Sequence, residues 1–557
     1  MVEETGATYT CEALKTAGIE LIVGLPGTQT LPIDRVIAEQ GSFDYVMARH
    51  ETAIPHIAWG YYEVAGRPAA TLTVPGPGET NAMHGLNNAK EDCVPIVHLT
   101  GDADPDHRGK KPIHEIDPRT YDPVVKENAI VESADEIPTK IPAAIECALT
   151  PPTGPVRLGI PTPAYDEPID APPPRIAPKS ETSASSLAYA EAIEVLEAAT
   201  RPVVIVGGGI SRSPAGMSAA RSLVRTLDAP VLSSYKGKGV IPETADRWMG
   251  TMGGSMPPGA IAVLERADVV LAIGTDLDGL ATRNWSLSLG EDLIHITLDP
   301  SAIGASYHPT VGLVADAGEA MRALEQGLTT GDHQPRWDGA SIGRRVQGEY
   351  ITRLEEEGLL TEGPPLHIPA MLRTVRETIP DEAIVITDVG GFRVWALQTF
   401  PVNDRSRYVT AGSWAGMGVG LPAAIGAKLA EPDTPVICLT GDGGLLMCLQ
   451  ELATAVEESL SIVTVVANNS DYGIISKRYG DDHPRWDPPF GWQSPSFPTI
   501  ARGFGWHTAS VGEAPALSDS LEQALARAEP TLIDVTIASD EPAPGQMAEF
   551  ETTVSFD

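Results

Sequence analysis

Short apolar runs alternate with stretches whose apolar residues recur at three- and four-residue spacing along all 557 residues of the chain. That alternation predicts parallel strands covered on both faces by helices. In the first third, residues 21–23, 45–47, 70–74 and 96–99 read as strands; in the middle, 202–206, 229–232, 269–273 and 293–298 do; toward the end, 383–387, 436–440, 462–467 and 531–536. Two turn-rich stretches separate the groups, residues 161–186, rich in Pro, Ala and Ser, and residues 327–345. The pattern is α/β, with three doubly wound parallel-sheet domains at 1–165, 187–326 and 346–557.

Composition adds an ordinary core beneath a one-sided surface: 42% of residues are hydrophobic and 20% charged, yet 39 basic residues face 75 acidic ones, a net charge of −36. Only 11 of the basic residues are Lys, a surface expected of a halophilic protein. So negative a field repels phosphate backbones and anionic lipid headgroups, which makes nucleic acid and membranes poor partners and small molecules better ones. The five cysteines are scattered, with no disulfide framework or CxxC metal knuckle. The N-terminus carries acids and lacks the basic and apolar regions of a signal peptide, and no run reaches the ~18 apolar residues of a membrane span. A cytoplasmic enzyme is the expectation.

Residues 435–473 contain the most informative chemistry. Strand 436–440 leads into Gly441-Asp442-Gly443-Gly444; Leu445, Leu449, Leu452, Val456 and Leu460 then recur at helical spacing, and strand 462–467 ends at Asn468-Asn469. In such a βαβ unit parallel strands bring Asp442 and the Asn pair to one sheet edge, where open α/β sheets bind ligands. One carboxylate, one amide oxygen and a backbone carbonyl suit octahedral Mg²⁺ with room for phosphate oxygens. Glycines let backbone approach, and the following helix N-terminus favours an anion. No GK[ST] follows, so this is not a P-loop.

GDG followed by NN, 26 residues beyond Asp442, resembles the defining motif of the thiamine diphosphate-dependent enzymes, the superfamily of acetolactate synthase, pyruvate oxidase and 2-oxo acid decarboxylases. The resemblance spans nearly the whole chain. It implies thiamine diphosphate and Mg²⁺ as cofactors, with Asp442, Asn469 and Asp471 as metal ligands and Gly441, Gly443, Gly444 and Tyr472 beside the cofactor. Arg49-His50-Glu51 resembles the family's RHE motif, placing Glu51 as the carboxylate that activates the aminopyrimidine. Pro75-Gly76-Pro77-Gly78 and Thr80-Asn81 fall at family spacing from it, and the resemblance assigns Pro75 and Asn81 to cofactor binding. Residues 412–422 resemble the segment that props the cofactor in its bent form, through Met417 and the Ala415 carbonyl. Because the family takes its Glu and its metal site from different subunits, a homodimer or homotetramer with interfacial active sites is implied.

Gly24-Leu25-Pro26-Gly27, the RHE motif and Ile113-His114-Glu115 most resemble the acetolactate synthase large subunit, which implies decarboxylation of a small 2-oxo acid and transfer of its acyl carbanion to a second carbonyl. Three positions depart from it. His114 replaces a Gln, Arg478 replaces a Trp that shapes acceptor choice, and residues 274–280 lack the Arg that contacts flavin, which argues against FAD although Gly207-Gly208-Gly209 keeps part of the layout. A simple 2-oxo acid decarboxylase is therefore the alternative, with His114 or Thr28 assisting release. His114 also suits a structural role, Thr28 could merely cap the next helix, and Arg478 either binds a substrate carboxylate or faces solvent. A non-catalytic relative would have lost Glu51, Asp442 or Asn469; all three are present.

Overall fold

The computed structural model describes residues 4–178, 184–328, 336–479 and 490–553; residues 179–183 and 329–335 of the two turn-rich stretches lie outside them. Three six-stranded parallel sheets organise the chain. The first holds β1 (Leu21–Gly24), β2 (Asp44–Met47), β3 (Ala69–Thr73), β4 (Ile96–Asp102), β5 (Glu127–Ile130) and β6 (Val156–Pro161), ordered β2-β1-β3-β4-β6-β5. The second holds β7 (Pro202–Val206), β8 (Val231–Ser233), β9 (Trp248–Thr251), β10 (Val269–Ile273), β11 (Asp292–Thr297) and β12 (Val311–Val314), ordered β12-β11-β10-β7-β8-β9. The third holds β13 (Ile384–Thr387), β14 (Tyr408–Thr410), β15 (Val436–Gly441), β16 (Ile462–Asn468), β17 (His507–Val511) and β18 (Thr531–Thr536), ordered β14-β13-β15-β16-β18-β17. Counted from its own first strand, the third sheet repeats the order of the first. The middle sheet instead has the doubly wound order of dinucleotide-binding folds.

All twelve expected strands fall on these sheets, and the structure adds β5, β6, β9, β12, β14 and β17. Five of the six additions are edge strands. β5 and β17 are only partly covered, which weakens their apolar runs, while β9 and β14 are wholly buried but only four and three residues long. The sixth, β6, is wholly buried but contains Arg157 and Gly159, which interrupt the apolar signal. Part of each turn-rich stretch is helical. Thr162–Asp166 lies against the helix Gly6–Thr16, and Gly339–Glu356 begins inside the second stretch.

Three helices position the site: α1 (Ala53–Ala65), α2 (Pro77–Glu91) and α3 (Gly420–Ala430). Both α1 and α3 are apolar nearly all round, the pattern of a helix buried between layers. They join the first and third sheets into one hydrophobic core. A Cβ at Gly426 would stand 1.9 Å from the Ile57 carbonyl oxygen, and one at Gly60 2.2 Å from that of Ala423. The two helices thus meet backbone to backbone because glycine sits at both contacts.

A buried ion network ties in the middle domain. Glu63 of α1, its side chain 3% exposed, pairs with Arg212 at 2.9 Å, Lys236 at 2.9 Å and Arg405 at 2.6 Å, one cation each from two elements of the middle domain and one from the third. Burial alone would raise the Glu63 carboxyl, but these cations overcome it and hold it well below the usual carboxylate range. Nearby, Asp92 accepts from Lys236, from the Trp59 indole and from the Gly412 N–H. Among the described residues no helix is long and apolar enough to cross a membrane.

Candidate active site

β15 and β16 pair in register to Gly441 opposite Ala467, so Asp442 and Asn468-Asn469 leave the sheet side by side. Asp442 opens the short helix α4 (Asp442–Leu446) and is only 3% exposed. Its carboxylate accepts the Gly443 N–H at 2.9 Å, the Ser470 N–H and, at 3.4 Å, the Ser494 hydroxyl. Burial nevertheless pushes its pKa up to about 6. No basic side chain among the described residues pairs with it, so the carboxylate is in place for a cation. Asn469 accepts the Asp471 N–H at 3.2 Å, while the Asp471 carboxylate is engaged by the Ser476 hydroxyl at 2.6 Å, which leaves its backbone carbonyl as the group to offer a metal. Asn468 instead donates to Asp534 and accepts from the Ser470 N–H. Hard oxygen donors of this kind fit Mg²⁺. Tyr472 covers Gly443, where a Cβ would come within 2.7 Å of its ring, and leans on Trp492 with ring centroids 4.7 Å apart.

The single long helix expected after the glycines is two helices. Following α4, the chain turns through residues 447–450 before α5 (Glu451–Glu457). The turn aims Glu451, fully buried, at the first domain, where its oxygens accept the Arg49 N–H at 3.2 Å beside the Thr454 hydroxyl at 2.7 Å. A helix as short as α4 contributes little macrodipole, so less anion affinity comes from it than the sequence implied.

Met417, Ala415, Asp442 and Asn469 line a cavity of about 610 Å³, a size suited to a cofactor. Ala415 is left-handed at φ 49°, as is Gly418 at φ 82°. Asp388, just past β13, accepts the Gly418 N–H at 2.9 Å and the Thr440 hydroxyl at 3.0 Å. It is fully buried and raised above the usual carboxylate range by that burial. This carboxylate pins the Met417 segment to β15, and sequence reading missed it, although an Asp at a strand end before Gly390-Gly391 satisfies the same edge rule that found Asp442.

The first sheet gathers the other expected residues at its own carboxyl edge. Half-buried Glu51 precedes α1 and accepts from the Asn81 amide at 3.0 Å; Gly78 lies close beneath it. Pro75 and His114 line a second cavity, and His114, at φ 64°, sets its carbonyl where a Cβ on Gly76 would be 2.5 Å away. The His114 ring meets the Gln29 amide at 3.2 Å. Exposed Thr28 donates to Gln29 at 2.9 Å, while the cap position of the next helix belongs to Thr30; Thr28 is therefore not a helix cap. Gln29 and Glu451 were missed because each acts through a partner on another loop.

The 610 Å³ cavity takes Tyr235 and Leu280 from the middle domain and the exposed Arg478 from α6 (Gly473–Tyr479), but no residue of the first domain. Glu51 thus does not line the Asp442 cavity of its own chain, although Thr52 and Ala53 line a smaller pocket with Met417 and Gly418. The turn after β7 is tightly packed. The glycines after β7 serve packing, since a Cβ at Gly207 would be 2.0 Å from the Gly274 carbonyl oxygen. Asp276 on the adjoining loops is raised above its usual range first by desolvation and then by Asp299 and Asp278.

Sheet order, the Asp442 edge and the cofactor-sized cavity define a diphosphate-binding α/β enzyme, and three family models name its class. The N-terminal thiamine pyrophosphate binding domain matches residues 4–120, the central domain of these enzymes 189–324 and the C-terminal thiamine pyrophosphate binding domain 388–535. The chain belongs to the thiamine pyrophosphate enzyme family and is a thiamine diphosphate-dependent enzyme of the transferase/lyase type. More particularly it is similar to acetolactate synthase large subunits. It is 29% identical over 548 residues to that of isozyme 1 from Escherichia coli, covering 96% of this chain and 94% of that protein. It is 28% identical to the large subunit of Lactococcus lactis over 552 residues, covering 96% and 93%, and 28% identical to a probable one of Methanococcus aeolicus over 557 residues, covering 96% and 92%.

Proposed function

We propose that this enzyme uses thiamine diphosphate and Mg²⁺ to decarboxylate a small 2-oxo acid and to transfer the acyl unit to a second carbonyl compound. The observation that carries this reading is the cavity that Asp442, Asn469 and Met417 line together with Arg478. When bound, thiamine diphosphate supplies a carbon nucleophile and an electron sink. Asp442, Asn469 and the Asp471 carbonyl would hold the metal, the Ala415 carbonyl and Met417 would orient the aminopyrimidine, and Arg478 would hold the carboxylate of a 2-oxo acid acceptor.

Glu51 of a second copy completes this site, since no first-domain residue reaches the cavity within one chain. Exposed Trp414, Leu446 and Met447, 44%, 40% and 48% accessible, supply apolar surface for that second copy. Simple decarboxylation is the second reading, favoured by the His114–Gln29 contact at 3.2 Å, where a proton could be delivered instead of a carbonyl. Pyruvate turnover with Mg²⁺ and thiamine diphosphate in high salt separates the two. Acetolactate is the expected product; acetaldehyde without acetolactate overturns the transfer reading.

A further inference from the structure

The segment that carries Ala415 and Met417 is gripped from the first domain by a side chain with no counterpart in the motifs above. His84 lies on α2, three residues beyond Asn81. Its Nδ1 takes the Trp414 indole N–H at 2.9 Å, and its ring also hydrogen-bonds the Met417 backbone. An indole nitrogen only donates, so Nδ1 is unprotonated and accepts. By elimination Nε2 carries the hydrogen and donates to the Met417 carbonyl. Gly416, between the two contacts, leaves room for this: a Cβ there would stand 1.9 Å from His84 Cε1.

We propose that His84 is a positioning residue whose neutral ring, bonded to both Trp414 and Met417, sets the height of the Met417 segment under the cofactor. The assignment rests on the reading of Met417 as the cofactor's support. Other restraints act only at the ends of the segment, Asp92 at the Gly412 N–H and Asp388 at the Gly418 N–H. Between them the left-handed Ala415 and flexible Gly416 have His84 as their lateral support. Among the described residues, the titratable ring packed on it is His56 of α1, 4.9 Å away edge to face. His56 is fully buried and is lowered to about 3 by burial and then by His84, which outweigh a backbone hydrogen bond to Thr52. His56 thus stays neutral and leaves the His84 proton arrangement undisturbed.

The test compares His84→Leu, which can make neither bond, with His84→Gln, whose amide both donates and accepts. Thiamine diphosphate affinity is measured calorimetrically with Mg²⁺, and the indole resonances of ¹⁵N-tryptophan-labelled protein without cofactor are recorded alongside. The resonance missing in Trp414→Phe identifies Trp414. His84→Leu should shift that resonance and weaken cofactor binding at least ~tenfold, and His84→Gln should restore affinity to within about threefold of the parent, as two hydrogen bonds regained imply. Affinity lost equally in both variants, or retained in His84→Leu, overturns the proposal. Met417→Ala keeps the two readings apart. Full affinity in that variant removes the support role of Met417 itself, whereas weakened binding there with parental affinity in His84→Leu rejects His84 alone.

Discussion

The first and third sheets run their strands in the same order, yet their carboxyl edges carry different chemistry. Corresponding turns can be matched. The loop after β2 holds Glu51 and that after β14 holds Met417; the turn after β3 is Pro75-Gly76-Pro77-Gly78 and that after β15 is Gly441-Asp442-Gly443-Gly444. At the third sheet the charged group is nearly sealed, so Asp442 is raised to about 6 and its ionised form needs a cation. At the first, Glu51 stays half-buried with the Asn81 amide as partner. One topology supplies an edge, and on the proposed roles the depth at which the loop buries its carboxylate separates the group that would hold a metal from the one that would move a proton.

The largest expected effects test that division directly. Asp442→Ala should cut Mg²⁺-dependent thiamine diphosphate affinity on the order of 100-fold or more, because metal and cofactor bind as a linked unit. Calorimetry decides it, and unchanged affinity removes the metal role. Glu51→Gln should bind cofactor within a few-fold of the parent while turnover falls about 10²–10⁴-fold, the range of a lost acid–base group. Near-parental turnover would refute the proton role and dissolve the contrast.

Next comes the network that holds the two edges at fixed separation. Glu63→Gln leaves Arg212, Lys236 and Arg405 buried around a neutral amide, at a cost of about 3–5 kcal/mol. The pH dependence follows from the depressed Glu63 pKa. Its folded value lies below the unfolded one of about 4.3, so its contribution is present above that pH and is lost as pH falls through the folded value. Denaturant unfolding of the parent should weaken below pH ~4.3 more steeply than that of Glu63→Gln. Parallel curves would show that the network does not couple the domains. Gly426→Ala should cost less, about 1–3 kcal/mol of overpacking, because α1 and α3 must part where the Ile57 carbonyl meets the new methyl. A parental melting temperature would mean that the helix contact yields freely.

How much of this was legible in the sequence follows the same contrast. Asp442 and Asn469 could be read because they leave adjacent strands whose apolar runs are long and fully buried. Most interior strands were legible for that reason, β6 with its Arg157 and Gly159 excepted, and the partly covered edge strands β5 and β17 were not. Asp388 obeys the edge rule but is surrounded by no other chemical signal. Gln29, His84 and Glu451 take their meaning from partners on other loops, His84 from Trp414 330 positions away, and single-residue pattern reading has no access to such pairings. The helix after Asp442 was overextended because Leu449 and Leu460 keep the apolar period while lying outside both helices.

The smallest expected effect concerns whether the first edge handles more than one proton. His114 sits at φ 64° over the Gly76 turn with its ring against the Gln29 amide, near the loop that carries Glu51. His114→Gln keeps a hydrogen-bonding group for Gln29 but removes the imidazole, the side chain able to carry a proton to the product. If His114 delivers a proton to the product, the substitution should lower acetaldehyde formation about tenfold, the worth of roughly one hydrogen bond, while acetolactate formation and cofactor affinity remain near parental. Gas-chromatographic product ratios from pyruvate read this directly. Equal losses in both products would instead make His114 a prop for the Gly76 turn, and the first edge would then rest its chemistry on Glu51 alone, as the third rests its metal on Asp442.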